Sequence, residues 1–174
     1  MKLNKCYNFF LLSLSTIVFT GAQLTANPAT GGASVGRSRN LSLDLQQYKV
    51  STKADGKEEL VTVQKINPGE VIEYQLTCVN GTGQRITNLQ PQLPLPVGLS
   101  FIPNSTDPDK VVASTDGKSW AAIPLKRKLK LPSGEQKLVA VPYSEYRFLR
   151  WAVPELGAGK SVKLTARARI TNRS

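Results

Sequence analysis

The chain contains no histidine, which removes every Ser-His-Asp and Cys-His arrangement and the commonest protein ligand of zinc, copper and iron. Its chemistry must come from carboxylates, a thiol and a run of cations. Asp107-Pro108-Asp109 offers two carboxylates, short of the clustered oxygens that calcium requires, so a polar loop is expected there. Glu58, Glu70, Glu73, Glu145 and Glu155 are the acids from which a glycosidase would draw its pair. Acids in turns and on solvent faces are the ordinary case, so no catalytic residue, metal or cofactor is assigned and no enzymatic activity is expected. No glycine-rich loop precedes a helix that could hold a phosphate.

Lys126-Arg127-Lys128-Leu129-Lys130 is the sharpest local feature. Within LKRKLKLPSGEQKLVAVP, Pro132-Ser133-Gly134-Glu135 predicts the turn of a hairpin. Leu125, Leu129 and Leu131 fall on one side, and Lys126, Lys128 and Lys130 project together from the other. Lys126, Arg127, Lys128 and Lys130 are therefore the candidate polyanion-binding residues, to be extended by Arg147, Arg150, Arg167 and Arg169 if those faces adjoin. The competing expectation is that lysines on an edge strand keep sheets from associating edge to edge. Few aromatic residues are interleaved for base stacking, so no specific nucleic-acid partner is expected; Tyr143, Tyr146 and Phe148 suit a core or a rim equally well.

The elements that must position these residues read as strands. Ile72, Tyr74, Leu76 and Cys78 alternate with Glu73, Gln75 and Thr77, the period of a strand with one face in a core and Glu73 on the polar side. Asn67-Pro68-Gly69-Glu70 and Asn80-Gly81-Thr82-Gly83 are turns at its two ends. Pro91, Pro94 and Pro96 exclude a central strand from Leu93 to Val97, so the chain crosses or follows an edge there before Leu99 and Phe101 turn inward. Leu41, Leu43 and Leu45 alternate with Ser42 and Asp44, and the apolar phase then slips to Tyr48 and Val50, which predicts a bulge or two short strands. Val162, Leu164, Ala166, Ala168 and Ile170 form a last core face, backed by Lys163, Thr165, Arg167 and Arg169. Turn signals about every 8–12 residues and no helical period predict an all-β, antiparallel sandwich of seven to nine strands, with a closed barrel as the alternative.

Met1 to Ala22 has Lys2 and Lys5, an apolar run from Phe9 to Phe19 and a small-residue end, the parts of a secretory signal cleaved after residue 22 or 26. The run is short for a membrane span and lacks a stop-transfer pattern, so no transmembrane anchor is expected in the mature chain. Removing it takes two of the 23 basic residues and none of the 12 acidic ones, leaving a formal +9 that favours anionic partners. Cys6 leaves with the signal, so Cys78 remains alone, expected as a buried, inert thiol. Residues 27–40 are small, polar and glycine-rich, a flexible leader, and 41–174 form a single domain. Asn40, Asn80, Asn104 and Asn172 each open a glycosylation sequon. Lys49, Glu73 and Asn172 have the order of a lysine–asparagine cross-link beside an acid, but Glu73 sits on a polar face and no bond is expected.

The turn at Pro68-Gly69, the strand Val71 to Val79, Asn80 with its glycine turn, and Leu93-Pro94-Leu95-Pro96-Val97-Gly98-Leu99-Ser100-Phe101 together resemble the surface-protein repeat called domain of unknown function 11. Ser114-Thr115-Asp116-Gly117-Lys118 before Trp120, Arg150-Trp151 and the last strand from Ser161 to Ile170 fit the same pattern, so the likeness covers about Leu41 to Ile170. The basic hairpin is longer than that pattern. The resemblance implies an immunoglobulin-like fold, a bacterial host, and a place in the periplasm, outside the cell or at its surface, with no catalytic residue to carry over. The function expected is an exported cell-envelope domain with a structural or adhesive role, the alternative being a soluble module that binds an anionic envelope polymer through the hairpin. Envelope proteins or anionic envelope glycans are the expected partners, and the oligomeric state is left open.

Overall fold

The computed structural model describes residues 40–171. The expected signal segment, nearly all of the leader and Asn172 lie outside the described residues. The rest is all-β: thirteen strands and a single turn of 3-10 helix at Tyr143–Glu145, with no α-helix among the described residues. In chain order the strands are β1 Leu41–Thr52, β2 Glu58–Thr62, β3 Val71–Asn80, β4 Ile86–Leu89, β5 Gln92–Pro94, β6 Leu99–Phe101, β7 Val111–Ser114, β8 Ala121–Ala122, β9 Lys126–Lys130, β10 Gln136–Ala140, β11 Phe148–Trp151, β12 Val153–Leu156 and β13 Ser161–Ile170. Seven to nine was too few, because several strands have only two to five residues and one expected strand, from Leu149 to Val153, is broken at Ala152 into β11 and β12.

All pairing is antiparallel. A five-stranded sheet has the order β2-β1-β3-β13-β6 and a four-stranded sheet the order β5-β11-β7-β8; β12 pairs with β4, and β10 with β9. The five-stranded sheet ends at β2 and β6, so it is open and not a closed barrel. β5 occupies an edge, as Pro94 requires, since proline has no amide to give a second neighbour.

One core joins the two larger sheets. Ile72, Tyr74, Leu76 and Cys78 of β3 and Leu164, Ala166 and Ala168 of β13 are buried with Leu93, Ala113, Leu149 and Trp151 from the four-stranded sheet. Ala166 lies opposite Tyr74 and Ala168 opposite Ile72, so small residues on β13 leave room for large ones on β3. Burial pushes the Tyr74 hydroxyl up to about 12 and raises the Cys78 thiol above its ordinary value. The Tyr74 hydroxyl has no hydrogen-bond partner among the described residues.

Asn80, read from the sequence as a turn residue, is completely buried. Its Nδ2 donates to the carbonyls of Gln84, Leu156 and Gly157 at 2.8, 2.9 and 3.0 Å. The turn after β3 is thereby stitched to the turn before β13, and the amide that a glycan would need is fully used.

β1 corrects the expectation of a bulge. Its register on β3 runs unbroken from Leu41 opposite Asn80 to Lys49 opposite Ile72. The apolar phase slips because the covering layer changes. Leu43 and Leu45 share the core-side face with Cys78 and Leu76, whereas Val50 lies on the opposite face, where the segment 102–107 covers the sheet.

Candidate functional site

The predicted hairpin forms. Leu131 N–H donates to Glu135 C=O and Gly134 N–H to Leu131 C=O, both at 2.8 Å. Pro132 supplies the fixed φ of the first central position, and Gly134, at φ 87°, takes the left-handed conformation that closes a three-residue hairpin loop. Lys126 to Lys130 then pairs with Ala140 to Gln136.

Its base is fixed to the core. Leu125, Val141 and Tyr146 are buried. Val141 N–H donates to Leu125 C=O at 2.8 Å, and Leu125 N–H donates to the Tyr146 hydroxyl at 2.7 Å. Tyr146 itself stacks on Phe101 of β6, with ring centroids 5.9 Å apart. Arg127 makes a two-pronged bond to Glu145, at 2.5 and 3.1 Å. That geometry makes Arg127 a strut at the mouth of the hairpin, so among Lys126, Arg127, Lys128 and Lys130 it is the one whose charge is already matched.

Beyond this mouth the hairpin stands apart. β9 and β10 pair only with each other, and all five residues of β9 are exposed. Lys126, Lys128 and Lys130 share a face with Leu138, which is 58% exposed; Leu129, at 47%, shares the other with Lys137. Of the leucines expected on one side, Leu125 is buried at the base and Leu131 half-buried, whereas Leu129 is wet, because no layer covers a ribbon that leaves the two sheets. Among the described residues Lys126, Lys128, Lys130 and Lys137 form no ion pair. Alternate residues of a strand repeat at about 7 Å, so three unmatched ammonium groups form a row.

The four arginines that were to extend the site are engaged elsewhere. Arg147 donates to the carbonyls of Ser144 and Tyr146, Arg150 lies 3.9 Å over the Trp120 ring, and Arg169 donates to Gly69 C=O. Tyr143 and Tyr146 support the base and do not interleave with the lysines.

Arg167 belongs to a second constellation that the sequence did not disclose. On the outer face of the five-stranded sheet its Nε donates to Glu73 at 2.9 Å and its guanidinium reaches Glu58 at 2.8 Å. Glu73 is 9% exposed, contrary to the expected solvent face. The segment 102–107 folds over this face, held by paired bonds between the backbones of Asp107 and Thr165 and by Ser105 Oγ accepting Arg167 N–H at 3.0 Å. A groove of about 540 Å³ remains beside it. The guanidinium occupies the space between the two carboxylates where a glycosidic oxygen would have to lie, so the cluster ties β13 to β2 and β3 within the sheet.

The other glutamates from which a glycosidase would draw its pair are matched as well. Glu70 accepts from Lys49 Nζ at 2.6 Å and Asn67 N–H at 2.8 Å, and chiefly the lysine bond lowers its carboxyl to about 2. Lys49 is thus committed to Glu70. Glu155 pairs with Arg85. Comparison of the chain with protein-family models, with curated proteins and with solved structures returned no match.

Proposed function

We propose that this chain is an exported, non-catalytic domain of immunoglobulin-like sandwich architecture that binds an anionic polymer of the bacterial envelope through the β9–β10 hairpin. The observation that carries it is a row of three unmatched lysines on a ribbon fixed at its base and free along its length. β9 is itself an edge strand, so its lysines also blunt that edge; what favours a ligand is that they stand in one exposed row on a ribbon paired with neither larger sheet. The formal charge supports the reading, because a positive excess raises the rate of encounter with polyanions. Export rests on the amino-terminal pattern, and the immunoglobulin-like reading on the resemblance together with two open sheets about one core.

The test is chromatography of the purified protein on sulfated dextran and on isolated envelopes across a salt gradient. Retention should fall with salt, since exposed charges are screened within about 8 Å at physiological ionic strength. A Lys126→Gln, Lys128→Gln, Lys130→Gln variant should elute early, and an unchanged elution position would remove the site. A structural or adhesive role is the second reading, favoured by the open edge of β1.

A further inference from the structure

Leu43 and Leu45 are 52% and 41% exposed, although they lie on the sheet face that carries the core further along. β2 covers the outer edge of β1 only from Tyr48 to Thr52. Among the described residues, Leu41 to Gln47 therefore has a strand on one side alone. The direction of its free backbone groups follows from one bond. Gly81 N–H donates to Asn40 C=O at 3.0 Å, so 40 and 81 are a hydrogen-bonded pair, and in an antiparallel ladder bonding sides alternate along the strand. Ser42, Asp44 and Gln46 turn their amides and carbonyls toward β3. Leu41, Leu43, Leu45 and Gln47 turn theirs outward. The residues with bare leucine side chains are thus the residues with free backbone groups, and the occupant that satisfies both is another strand.

We propose that this edge pairs with the same edge of a second copy of the chain, antiparallel, about a two-fold axis at Leu43. Outward-bonding residues must meet outward-bonding residues, so the axis falls on a residue, and the three positions that pair most of Leu41 to Gln47 are Asp44, Leu43 and Leu45. An axis at Asp44 sets two carboxylates directly opposite each other, which is destabilising. An axis at Leu45 drives Ser42 into the place beside Tyr48 that Thr62 already fills. An axis at Leu43 sets Leu41 against Leu45 of the second copy and Leu43 against its own counterpart, while Ser42 faces the Asp44 carboxylate, which accepts a hydrogen bond from its hydroxyl. Every leucine meets a leucine, and no like charges meet. The leader is a poorer occupant: residues 27–39 hold Val35 as their one large apolar residue, with nothing to alternate against Leu43 and Leu45. The contact covers far less than the ~1,600 Å² of a stable complex, so association is weak, with Kd between roughly 10 μM and 1 mM. It stands independently of the hairpin reading.

Cross-linking tests the register. Cys78 lies opposite Leu43 within one copy and would capture a new thiol there, so the variants carry Cys6→Ser and Cys78→Ser. Under copper–phenanthroline oxidation, Leu43→Cys should give a covalent dimer, because Cα atoms of a hydrogen-bonded antiparallel pair lie about 5.5 Å apart, within disulfide range. Leu45→Cys alone should give on the order of tenfold less, and a mixture of Leu41→Cys and Leu45→Cys should give the mixed dimer. In sedimentation, Leu43→Asp should weaken self-association about tenfold or more, whereas Leu138→Asp on the hairpin should leave it unchanged. Equal cross-linking at 43 and 45, or a protein that stays monomeric up to about 1 mM, would overturn the proposal.

Discussion

The β9–β10 hairpin and the first half of β1 both hold leucines in water, yet they are made for different encounters. In the hairpin, Leu129 and Leu138 stand among four unmatched lysines, and both strands have a partner on one side already. Two such ribbons repel each other. In β1, Asp44 is the one charged residue between Leu41 and Gln47, and the outward backbone groups belong to the leucines. Exposed apolar surface therefore has no single meaning: neighbouring charge decides whether it attracts an anion or a copy of itself.

The largest expected effect separates the two regions by charge. Replacing Lys126, Lys128 and Lys130 by Gln removes about 1 kcal/mol of attraction per lysine near an anionic surface, or on the order of 100-fold in affinity. Self-association should be unchanged or slightly tighter; parallel titrations of polymer binding and sedimentation check both. If both properties fell together, the distinction would fail.

A smaller effect lies at the hairpin base. Tyr146→Phe leaves the buried Leu125 amide without its acceptor and should cost about 2 kcal/mol in denaturant unfolding. Faster amide exchange should appear first at β9 and β10, with β1 little affected, because the lost bond sits at the hairpin mouth.

The Lys49–Glu70 pair ties the second half of β1 to the entry of β3 and makes this region sensitive to acid. The Glu70 carboxyl is lowered from 4.5 to about 2 in the folded protein, so its contribution is present above the unfolded value and is lost as pH falls from about 5 toward 2. Glu70→Gln should lower stability by about 1 kcal/mol at pH 7, since the pair keeps part of its water, and the difference from the unaltered protein should vanish near pH 2. Thermal melts across that range measure it. A constant difference would show that charge has no part in it.

The smallest change is expected at Arg127. Both members of its pair with Glu145 are about half exposed, so Arg127→Ala should cost below about 1 kcal/mol. Its polymer affinity should fall by less than that of any single lysine variant, as a matched cation has less to offer a ligand. A loss equal to that of Lys128→Gln would place Arg127 in the binding row.

Much of this was legible in the chain. Period-two alternation marked β3 and β13, glycine and proline marked the turns, and the prolines of 91–96 placed β5 at an edge, because each signal is local and acts through the residue's own backbone. The cationic run was legible for the same reason. Burial on the outer face was not. Glu73 alternates as a solvent-facing residue should, and only the folding of 102–107 across the sheet encloses it with Arg167 and Glu58, residues far from it in the chain. Asn80 reads as a turn residue, and its three carbonyl partners become visible only when the turn before β13 is brought beside it.

The sequence by itself determined the all-β class, the strands of the core and the composition of the basic ribbon, since side-chain alternation and turn chemistry are properties of neighbouring residues. Tertiary structure alone decided which apolar residues are covered. Leu43 and Leu76 alternate in the same way, but Leu76 has the second sheet above it and Leu43 has water. Whether a layer extends over a given strand depends on where distant segments end, and no local pattern records that.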